Sequence, residues 1–392
     1  MLSEYGRLLP LYRENASKAC ALRKSCIMRG MKKSRLLSLT VFLSLTASSS
    51  NSIRSAALPE SDYAAQQITV DGVAVVRLTD AAGGIEVSIL PTMGNIASEM
   101  KVHGKNILYF PELKLSDFQK KPMQTGIPFL APWANRMDGD GFWANGKRYN
   151  FDTALGNYRK DGSGLPIHGL LGTSSLWHVT SVGADRKSAH VTSKFEFWKY
   201  PDLMAQWPFA HEYEMTYRLA NGALEVSTRV SNLSAETMPL AIGFHPYFRI
   251  PDIPRDQWIL RLPARKAVVA DNRRMPTGDL KAVDLPNPLP LKDRTLDDGF
   301  TDLERDDAGR ALFMIESGGK QIEILFGQRY PVAIIWEPTL PPSQTSGFIC
   351  VEPMTGVTNA INLNHAGKYP ELQTVPAYSQ WSESFWIRAK GI

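Results

Sequence analysis

Cysteine is scarce in this 392-residue sequence, and two of its three cysteines, Cys20 and Cys26, lie within the first 57 residues. Cys350 is therefore alone in residues 58–392 and cannot form an internal disulfide there. It lies in the apolar segment GFICVEP, without a neighbouring base that could activate it as a nucleophile. We expect Cys350 to be a buried structural thiol.

Other absences narrow the class of protein further. No repeat of about 20–50 residues is visible, which argues against propellers and solenoids. Long amphipathic helical periods are missing, which argues against a helical fold. No H-E-x-x-H or cysteine-rich ligand motif occurs, which fits a protein that requires no cofactor and no metal ion.

The formal charge of +5 does not describe the main part of the chain, because residues 1–57 hold ten basic and only two acidic residues. Residues 58–392 contain 34 basic and 37 acidic residues, which gives a net charge of −3. Nucleic acids attract proteins through clustered positive charge, so we expect no nucleic-acid partner.

The basic excess near the start belongs to a segment with the pattern of a secretory signal peptide. A basic cluster at residues 32–35 precedes an apolar run from Leu36 to Ala47, and a Ser/Ala-rich segment follows. The run is shorter than the roughly 20 residues that span a bilayer. Met31 opens the pattern, and we expect it to be the true start. We therefore interpret residues 1–57 as a leader and expect a periplasmic or secreted protein without stable membrane association once the leader is removed.

From about residue 66 the sequence is typical of short strands and turns. The segments ITVDGVAVVRLTD, GGIEVSIL and GKNILYF alternate apolar and polar residues between Gly, Asp and Asn. The plainest hairpin is HEYEMTYRLANGALEVSTRVSN, whose two alternating runs meet at Asn221-Gly222, a strong turn signal. We predict one all-β domain over residues 58–392, built as a large antiparallel sandwich or barrel.

Four ionisable residues lie in unusually apolar surroundings beside glycine, proline or aromatic residues. Arg136 follows Asn135 in PWANR, His168 lies in IHGLL, His245 lies in GFHPYF, and Glu352 lies in VEPMTG. Taken singly, each is more typical of a salt bridge, a buried hydrogen-bonded ring or a strand-end carboxylate. Taken together at strand ends, they are typical of a site on a β-scaffold. A carboxylate base and an imidazole acid move protons on and off hydroxyl groups, and arginine holds oxygen ligands in a fixed fork.

The motifs PWANR, IHGLL, GFHPYF and VEPMTG, in this order, resemble those of the aldose 1-epimerases, the galactose mutarotase family. The resemblance runs from roughly residue 66 to the C terminus. It implies a galactose mutarotase-like β-sandwich (a supersandwich) and a monosaccharide substrate bound in an open cleft. The implied reaction interconverts α and β anomers by opening and reclosing the sugar ring. We expect a monomer or a homodimer.

The resemblance also implies a role for each residue. Glu352 would be the general base that takes the proton from the hydroxyl on C1, and His245 would be the acid that protonates the ring oxygen. His168 would assist at the same end of the sugar, while Arg136 would hold the substrate with Asn135 beside it. A nearby Glu352 carboxylate is expected to favour the charged form of the His245 ring.

Further contacts to the sugar are less fully specified by the motifs. The family also has an aspartate, followed two residues later by an aromatic residue, that binds sugar hydroxyls. The run LDDGF offers Asp297, with Asp298 as an alternative. Trp133, Phe142 and Trp143 either line the cleft as stacking platforms or pack in the core. The glutamine that some members place against the sugar has no clear counterpart.

Four other functions fit parts of the pattern. A mutarotase for a phosphorylated hexose would need an additional basic cluster at the cleft, and a non-catalytic carbohydrate-binding protein would have no use for an acid–base pair. A glycoside hydrolase would use Asp297 and Glu352 as carboxylates about 5–10 Å apart. A zinc site of two histidines and a glutamate matches no usual ligand spacing. We favour the aldose 1-epimerase and leave the sugar open.

Overall fold

Strands dominate the computed structural model, which describes residues 62–338 and 347–392. In chain order, the first thirteen strands are β1 (Tyr63–Val70), β2 (Val73–Asp80), β3 (Ile85–Leu90), β4 (Ile96–Val102), β5 (Lys105–Asn106), β6 (Phe129–Leu130), β7 (Gly141–Ala144), β8 (Lys147–Asn150), β9 (His178–Ala184), β10 (Ala189–Phe195), β11 (His211–Ala220), β12 (Ala223–Asn232) and β13 (Met238–Pro239). The next thirteen are β14 (Gly243–Phe244), β15 (Tyr247–Phe248), β16 (Ile259–Arg261), β17 (Ala264–Ala270), β18 (Pro276–Ala282), β19 (Leu289–Pro290), β20 (Leu296–Leu303), β21 (Ala311–Ser317), β22 (Lys320–Phe326), β23 (Val332–Glu337), β24 (Ile349–Met354), β25 (Thr374–Val375) and β26 (Gln380–Lys390).

Helices in these two ranges are few and short. The α-helices, of six residues each, are α1 (Leu115–Lys120), α2 (Pro201–Gln206) and α3 (Ala360–His365). Single 3-10 turns are formed by Thr153–Leu155, Phe197–Lys199 and Arg255–Gln257. The expectation that long helices are missing is confirmed for the described part of the chain.

Two large antiparallel sheets contain most of the strands. One has nine strands in the order β19-β16-β21-β22-β26-β12-β11-β10-β9, and the other has eight, in the order β18-β17-β20-β23-β24-β14-β6 with β15 also paired to β24. A third sheet follows chain order from β1 to β5, and two small ribbons pair β7 with β8 and β13 with β25.

Aromatic residues join the two large sheets across the core. The ring of Phe244 on β14 lies 4.9 Å, centroid to centroid, from that of Phe385 on β26. Phe129 on β6 lies 5.2 Å from Tyr213 on β11 in the same way. Strands such as β10 and β11 alternate buried residues with more exposed ones, and the buried apolar residues of the facing sheets form one shared layer. The predicted all-β antiparallel sandwich is confirmed.

The hairpin predicted at Asn221-Gly222 is present as expected. Strands β11 and β12 pair from His211 opposite Asn232 to Ala220 opposite Ala223. Asn221 and Gly222 have φ values of 51° and 70°, the left-handed region that asparagine and glycine tolerate best. The two-residue turn therefore fixes the register of the long central hairpin.

Two of the tryptophan and phenylalanine candidates for stacking on a sugar belong to the core. Trp133 and Phe142 are completely buried and stack on Trp207, with ring centroids 6.4 and 4.2 Å away. Trp143 instead stacks on His365 of α3 at 4.1 Å. None of the three candidates lines the cleft described below, so the core interpretation holds for Trp133 and Phe142.

Cys350 is completely buried on β24, as expected for a structural thiol. Burial raises the pKa of the thiol well above its usual value, because the thiolate would lose its hydration. The side chain packs with Tyr247 and Phe348 in a small apolar cluster. A thiol in these surroundings is held in its unreactive, protonated form.

The predicted leader, residues 1–57, lies outside the described residues, so its role and the boundary before residue 58 stay predictions. The described residues belong to one compact unit, Pro59–Ile392. Within them, no helix is long and apolar enough to cross a membrane.

Candidate active site

The eight-stranded sheet brings His245 opposite Glu352. Strand β14 pairs with β24 through Gly243 opposite Met354, and β15 pairs with the other end of β24. His245 lies midway between these two pairings, at the level of Glu352. A Cβ at position 243 would lie 2.9 Å from the backbone carbonyl oxygen of Pro353 as well as 2.1 Å from the Met354 sulfur, so glycine lets β14 lie this close to β24. The glycine of GFHPYF therefore sets the spacing of the two site residues.

The side chains of His245 and Glu352 are in contact. His245 Nε2 lies 3.3 Å from Glu352 Oε1, and the two residues are only 6% and 1% exposed. The backbone N–H of His245 donates to the carbonyl of Pro128 at 3.0 Å, which anchors the segment on its other side. The His245 ring also stacks on Tyr247 at a centroid distance of 4.7 Å. The imidazole is thus held in one direction, facing the carboxyl group.

Burial decides the protonation of this pair. It raises the pKa of Glu352 well above 4.5 and lowers the pKa of His245 to about 3, since desolvation penalises the charged form of both groups. The expectation that the Glu352 carboxylate favours a charged His245 ring is therefore wrong, because the pKa of His245 is lowered, with burial as the largest cause. With both neutral forms favoured, the proton of the pair resides on the carboxyl group rather than on the imidazole.

His168 lies beside His245 on a strained piece of backbone. The two rings meet edge to face with centroids 5.2 Å apart. His168 and Asn135 have φ values of 63° and 55°, and the His168 N–H donates to the Asn135 carbonyl at 3.0 Å. Left-handed backbone at such residues is sparsely populated and clusters at functional sites. Burial, followed by the charge of His245, lowers the pKa of His168 well below 6.5, so its ring is neutral as well.

Gly169 shows why a glycine follows this histidine. Its φ is 63°, and a Cβ there would lie 2.1 Å from the carbonyl oxygen of Ala131. The backbone at position 169 can therefore lie this close to Ala131 only if residue 169 is glycine.

Arg136 is held in a fork of oxygen acceptors. Its Nε donates to Asp161 Oδ2 at 2.7 Å, its Nη2 to Asp297 Oδ2 at 3.3 Å, and its Nη1 to Asn135 Oδ1 at 3.3 Å. Asp297 lies on β20 opposite Trp336 of β23. The guanidinium is thus fixed by two carboxylates and an amide, which orients its remaining N–H groups.

Of the two aspartate candidates in LDDGF, the structure places Asp297 on the cleft. Asp297 lines the same cavity as Glu352, whereas Asp298 lines a neighbouring cavity of about 20 Å³ and accepts a hydrogen bond from the Asp297 N–H at 3.3 Å. Asp298 thus supports the backbone beneath Asp297.

All six residues singled out in the sequence line one cleft. Its volume is about 330 Å³, which lies within the roughly 300–1,000 Å³ of small-molecule sites. The cleft is lined by Met123, Gln124, Asn135, Arg136, Arg159, Ile167, His168, His245, Tyr247, Asp297, Trp336 and Glu352.

Three of the candidate side chains carry a buried polar atom with no hydrogen-bond partner among the described residues. These atoms are Glu352 Oε2, His245 Nδ1 and His168 Nδ1. An unsatisfied buried polar atom costs free energy, and native proteins keep few of them outside functional sites. A polyhydroxylated ligand offers donors and acceptors for such atoms.

Comparison with known proteins assigns the chain to a family. Residues 75–387 match the family described as Aldose 1-epimerase. The match covers the two large sheets and all six of the candidate residues. The chain belongs to the aldose 1-epimerase family.

Similar proteins share the fold of this epimerase-family member at low sequence identity. A galactose mutarotase-like protein from Clostridium acetobutylicum is 24% identical with a TM-score of 0.74, covering 84% of this chain and 99% of that one. The galactose 1-epimerase of Lactobacillus acidophilus NCFM is 13% identical with a TM-score of 0.64, covering 84% and 98%. The uncharacterised protein YphB of Escherichia coli is 23% identical over 238 residues, which are 58% of this chain and 71% of YphB.

The structure adds residues at the cleft that sequence reasoning missed. Arg159 lines it and comes from the loop RKDGSG, whose only local signal is an Asp-Gly turn, while Asp161 of the same loop holds Arg136. Trp336 lies on β23 and is the tryptophan that lines the cleft, in place of the three candidates named earlier. Gln124 also lines it.

The described part of the chain offers no set of side chains that could bind a metal ion. No group of three or more His, Cys, Asp or Glu side chains is arranged there to hold a metal ion.

Proposed function

We propose that this protein is an aldose 1-epimerase that interconverts the α and β anomers of a galactose- or glucose-type aldose. The observation that carries the proposal is the 3.3 Å approach of His245 Nε2 to Glu352 Oε1 inside the cleft. Anomer exchange needs one proton removed and one delivered at two oxygens bonded to the same carbon. A buried carboxyl group and an imidazole at this spacing supply both, whereas a binding protein would gain nothing from them.

Ring opening begins when Glu352 takes the proton of the hydroxyl on C1. The electrons of that O–H bond form the C1=O double bond, the bond from C1 to the ring oxygen breaks, and His245 gives a proton to the ring oxygen. The result is the open-chain aldehyde. Rotation about the C1–C2 bond presents the other face of the aldehyde, and the two proton transfers run in reverse to close the other anomer. Arg136 holds sugar oxygens in place meanwhile.

One proton, shared by Glu352 and His245, is enough for both ring opening and ring closure. Opening starts with an ionised Glu352 and a charged His245 ring, and it ends with both groups neutral. Closing starts from the neutral arrangement, which is the one that burial favours. Each turnover returns the pair to its starting state, so the reaction consumes no proton and needs no external acid or base.

Polarimetry tests the proposed reaction. We expect the protein to speed the approach of freshly dissolved α-D-glucose and α-D-galactose to their equilibrium rotation, beyond the rate with heat-denatured protein at the same concentration. If no aldose responds while calorimetry still detects binding, the cleft is a binding site and the proposal is wrong.

The enzyme-dependent rate should not decline in mild acid, as it would if the catalytic histidine titrated like a free imidazole. A free imidazole gains a proton below about pH 6.5, but His245, with a pKa lowered to about 3, does not. The pair therefore keeps its single proton as the pH falls, and we expect the enzyme-dependent rate to stay constant from about pH 6.5 to about pH 5. Initial rates with the buffer-only rate subtracted check this, with circular dichroism confirming the fold at each pH. A decline of about tenfold per pH unit would instead show that His245 titrates normally.

A further inference from the structure

Two of the three arginines around the cleft form ion pairs with aspartates. Arg136 lies 2.7 Å from Asp161 and 3.3 Å from Asp297, and Arg274 lies 3.9 Å from Asp297. Two guanidinium groups thus face two carboxylates. Arg159 stands outside this set.

No carboxylate of the described residues lies within 4.0 Å of the Arg159 guanidinium. Its Nη2 donates instead to the amide oxygen of Gln124, at 2.9 Å. Gln124 is neutral, so this hydrogen bond fixes the position of the guanidinium without neutralising it, and Asp161, which Arg136 binds directly, acts on Arg159 only through space. Both side chains line the cleft, and Arg159 is exposed at its mouth. A positioned and unneutralised guanidinium facing a ligand site is suited to an anionic group of the ligand.

Arg159 lies on the histidine side of the cleft. The N–H of Ile167, the residue before His168, donates to the Arg159 carbonyl at 3.1 Å, and the Arg159 charge lowers the pKa of both His168 and His245. In the proposed reaction His245 serves the ring oxygen and Glu352 the hydroxyl on C1. The ring oxygen of an aldohexose is bonded to C5, which carries C6. A group on C6 therefore points to the side of the cleft that holds Arg159.

We propose that the sugars taken by this protein are hexuronates, with the C6 carboxylate bound by the Arg159 guanidinium. This inference rests on the proposed anomer exchange at Glu352 and His245, and it adds the class of substrate. The planar fork of a guanidinium matches the two oxygens of one carboxylate.

A phosphate group fits the same place less well. A phosphate dianion recruits several cations, and the other two arginines around the cleft, Arg136 and Arg274, already face aspartates. The single Arg159 guanidinium, hydrogen-bonded to the neutral Gln124, instead matches a ligand group with one negative charge. The uronate is therefore the substrate class that the charge pattern favours.

A bound carboxylate would also assist the chemistry. The Arg159 charge disfavours a protonated His245, and a carboxylate beside Arg159 offsets that charge. The shared proton then moves more readily from Glu352 to His245, which is the arrangement that opens the ring. The preference for uronates should consequently appear in kcat as well as in KM.

Anomer exchange at equilibrium, followed by proton NMR, tests this inference on any reducing sugar. We expect kcat/KM of the full-length protein for D-glucuronate and D-galacturonate to exceed that for D-glucose and D-galactose by about 10- to 100-fold, as for a charge-assisted contact. Arg159→Gln should abolish this ratio, and Arg159→Lys, which keeps the charge but not the fork, should retain part of it.

Arg148→Gln is the matched control. Arg148 is likewise exposed, and its Nε donates to a neutral amide oxygen, that of Asn150, at 2.9 Å, but it does not line the cleft. The control should keep the uronate preference of the wild type.

The outcomes separate this inference from the reaction on which it rests. Equal acceleration of uronates and neutral hexoses by the wild type would overturn the uronate proposal and leave the epimerase intact. A stronger preference for D-glucose 6-phosphate than for D-glucuronate would replace the carboxylate by a phosphate. Failure with every sugar would overturn the epimerase itself. Added sodium chloride should weaken the uronate preference and leave the hexose rates nearly unchanged.

Discussion

Replacing Glu352 by glutamine should reduce the enzyme-dependent rate of anomer exchange by about 10²- to 10⁴-fold, the usual contribution of a positioned proton-transfer group. Glutamine keeps the size of the side chain and can hydrogen-bond the hydroxyl on C1, but it cannot take its proton. Glu352 is 1% exposed and burial favours its neutral form, so a neutral amide suits the position. We therefore expect the loss in kcat, with sugar binding and the thermal unfolding temperature close to wild type. Polarimetry and calorimetry on the same samples measure both.

Glu323→Gln provides the control for this substitution. Glu323 is also a buried glutamate, 6% exposed on β22, but it pairs with Arg388 and Lys390 away from the cleft. The same chemical change there should leave the exchange rate unaltered. A Glu352→Gln protein that remains as active as the Glu323→Gln protein would remove Glu352 from the reaction.

Local sequence signals predicted the elements of this fold better than their arrangement. The alternation in HEYEMTYRLANGALEVSTRVSN and the Asn221-Gly222 turn specify a hairpin because only neighbouring residues are involved. The pairing of β12 with β26 is different, since it joins residues as far apart in the sequence as Ala223 and Arg388. Such long-range pairing depends on which apolar faces meet in the folded sheet, and no local pattern encodes it. The class of fold was therefore readable, whereas the strand order was not.

At the site, too, local motifs revealed some residues, whereas others became apparent only from the tertiary structure. His245 and Glu352 were recognisable from their motifs, because glycine, proline and aromatic neighbours accompany them. Asp161 and Arg159 were not, since the loop that carries them has no feature beyond a turn signal and reaches the cleft only through tertiary folding. The protonation of the pair was misjudged for a physical reason. From the sequence only the attraction between carboxylate and imidazolium is visible, whereas the near-complete burial that reverses the balance is a property of the fold.

Replacing His245 by asparagine should also reduce the exchange rate by about 10²- to 10⁴-fold, because the amide can hydrogen-bond the ring oxygen but cannot exchange a proton with it. The His245 ring is neutral near pH 7, so the substitution removes no charge from the cleft. His365→Asn is the control, since His365 packs on Trp143 outside the cleft. The same polarimetric assay, run at high protein concentration to exceed the spontaneous rate, measures all variants.

The comparison with His168→Asn decides which histidine is the acid. Both rings line the cleft, but only the His245 ring lies 3.3 Å from the Glu352 carboxyl group. The acid and the base must face the ring oxygen and the hydroxyl oxygen, which are both bonded to C1, so the acid should be the histidine beside Glu352. His168 lies behind it, edge to face at 5.2 Å, and its expected contribution is a hydrogen bond to the sugar. Losing one hydrogen bond costs about 1–2 kcal/mol, so we expect His168→Asn to slow exchange by only about tenfold. If His168→Asn were the more damaging change, the acid would be His168, and the contact of His245 with Glu352 would serve to hold the carboxyl group in place.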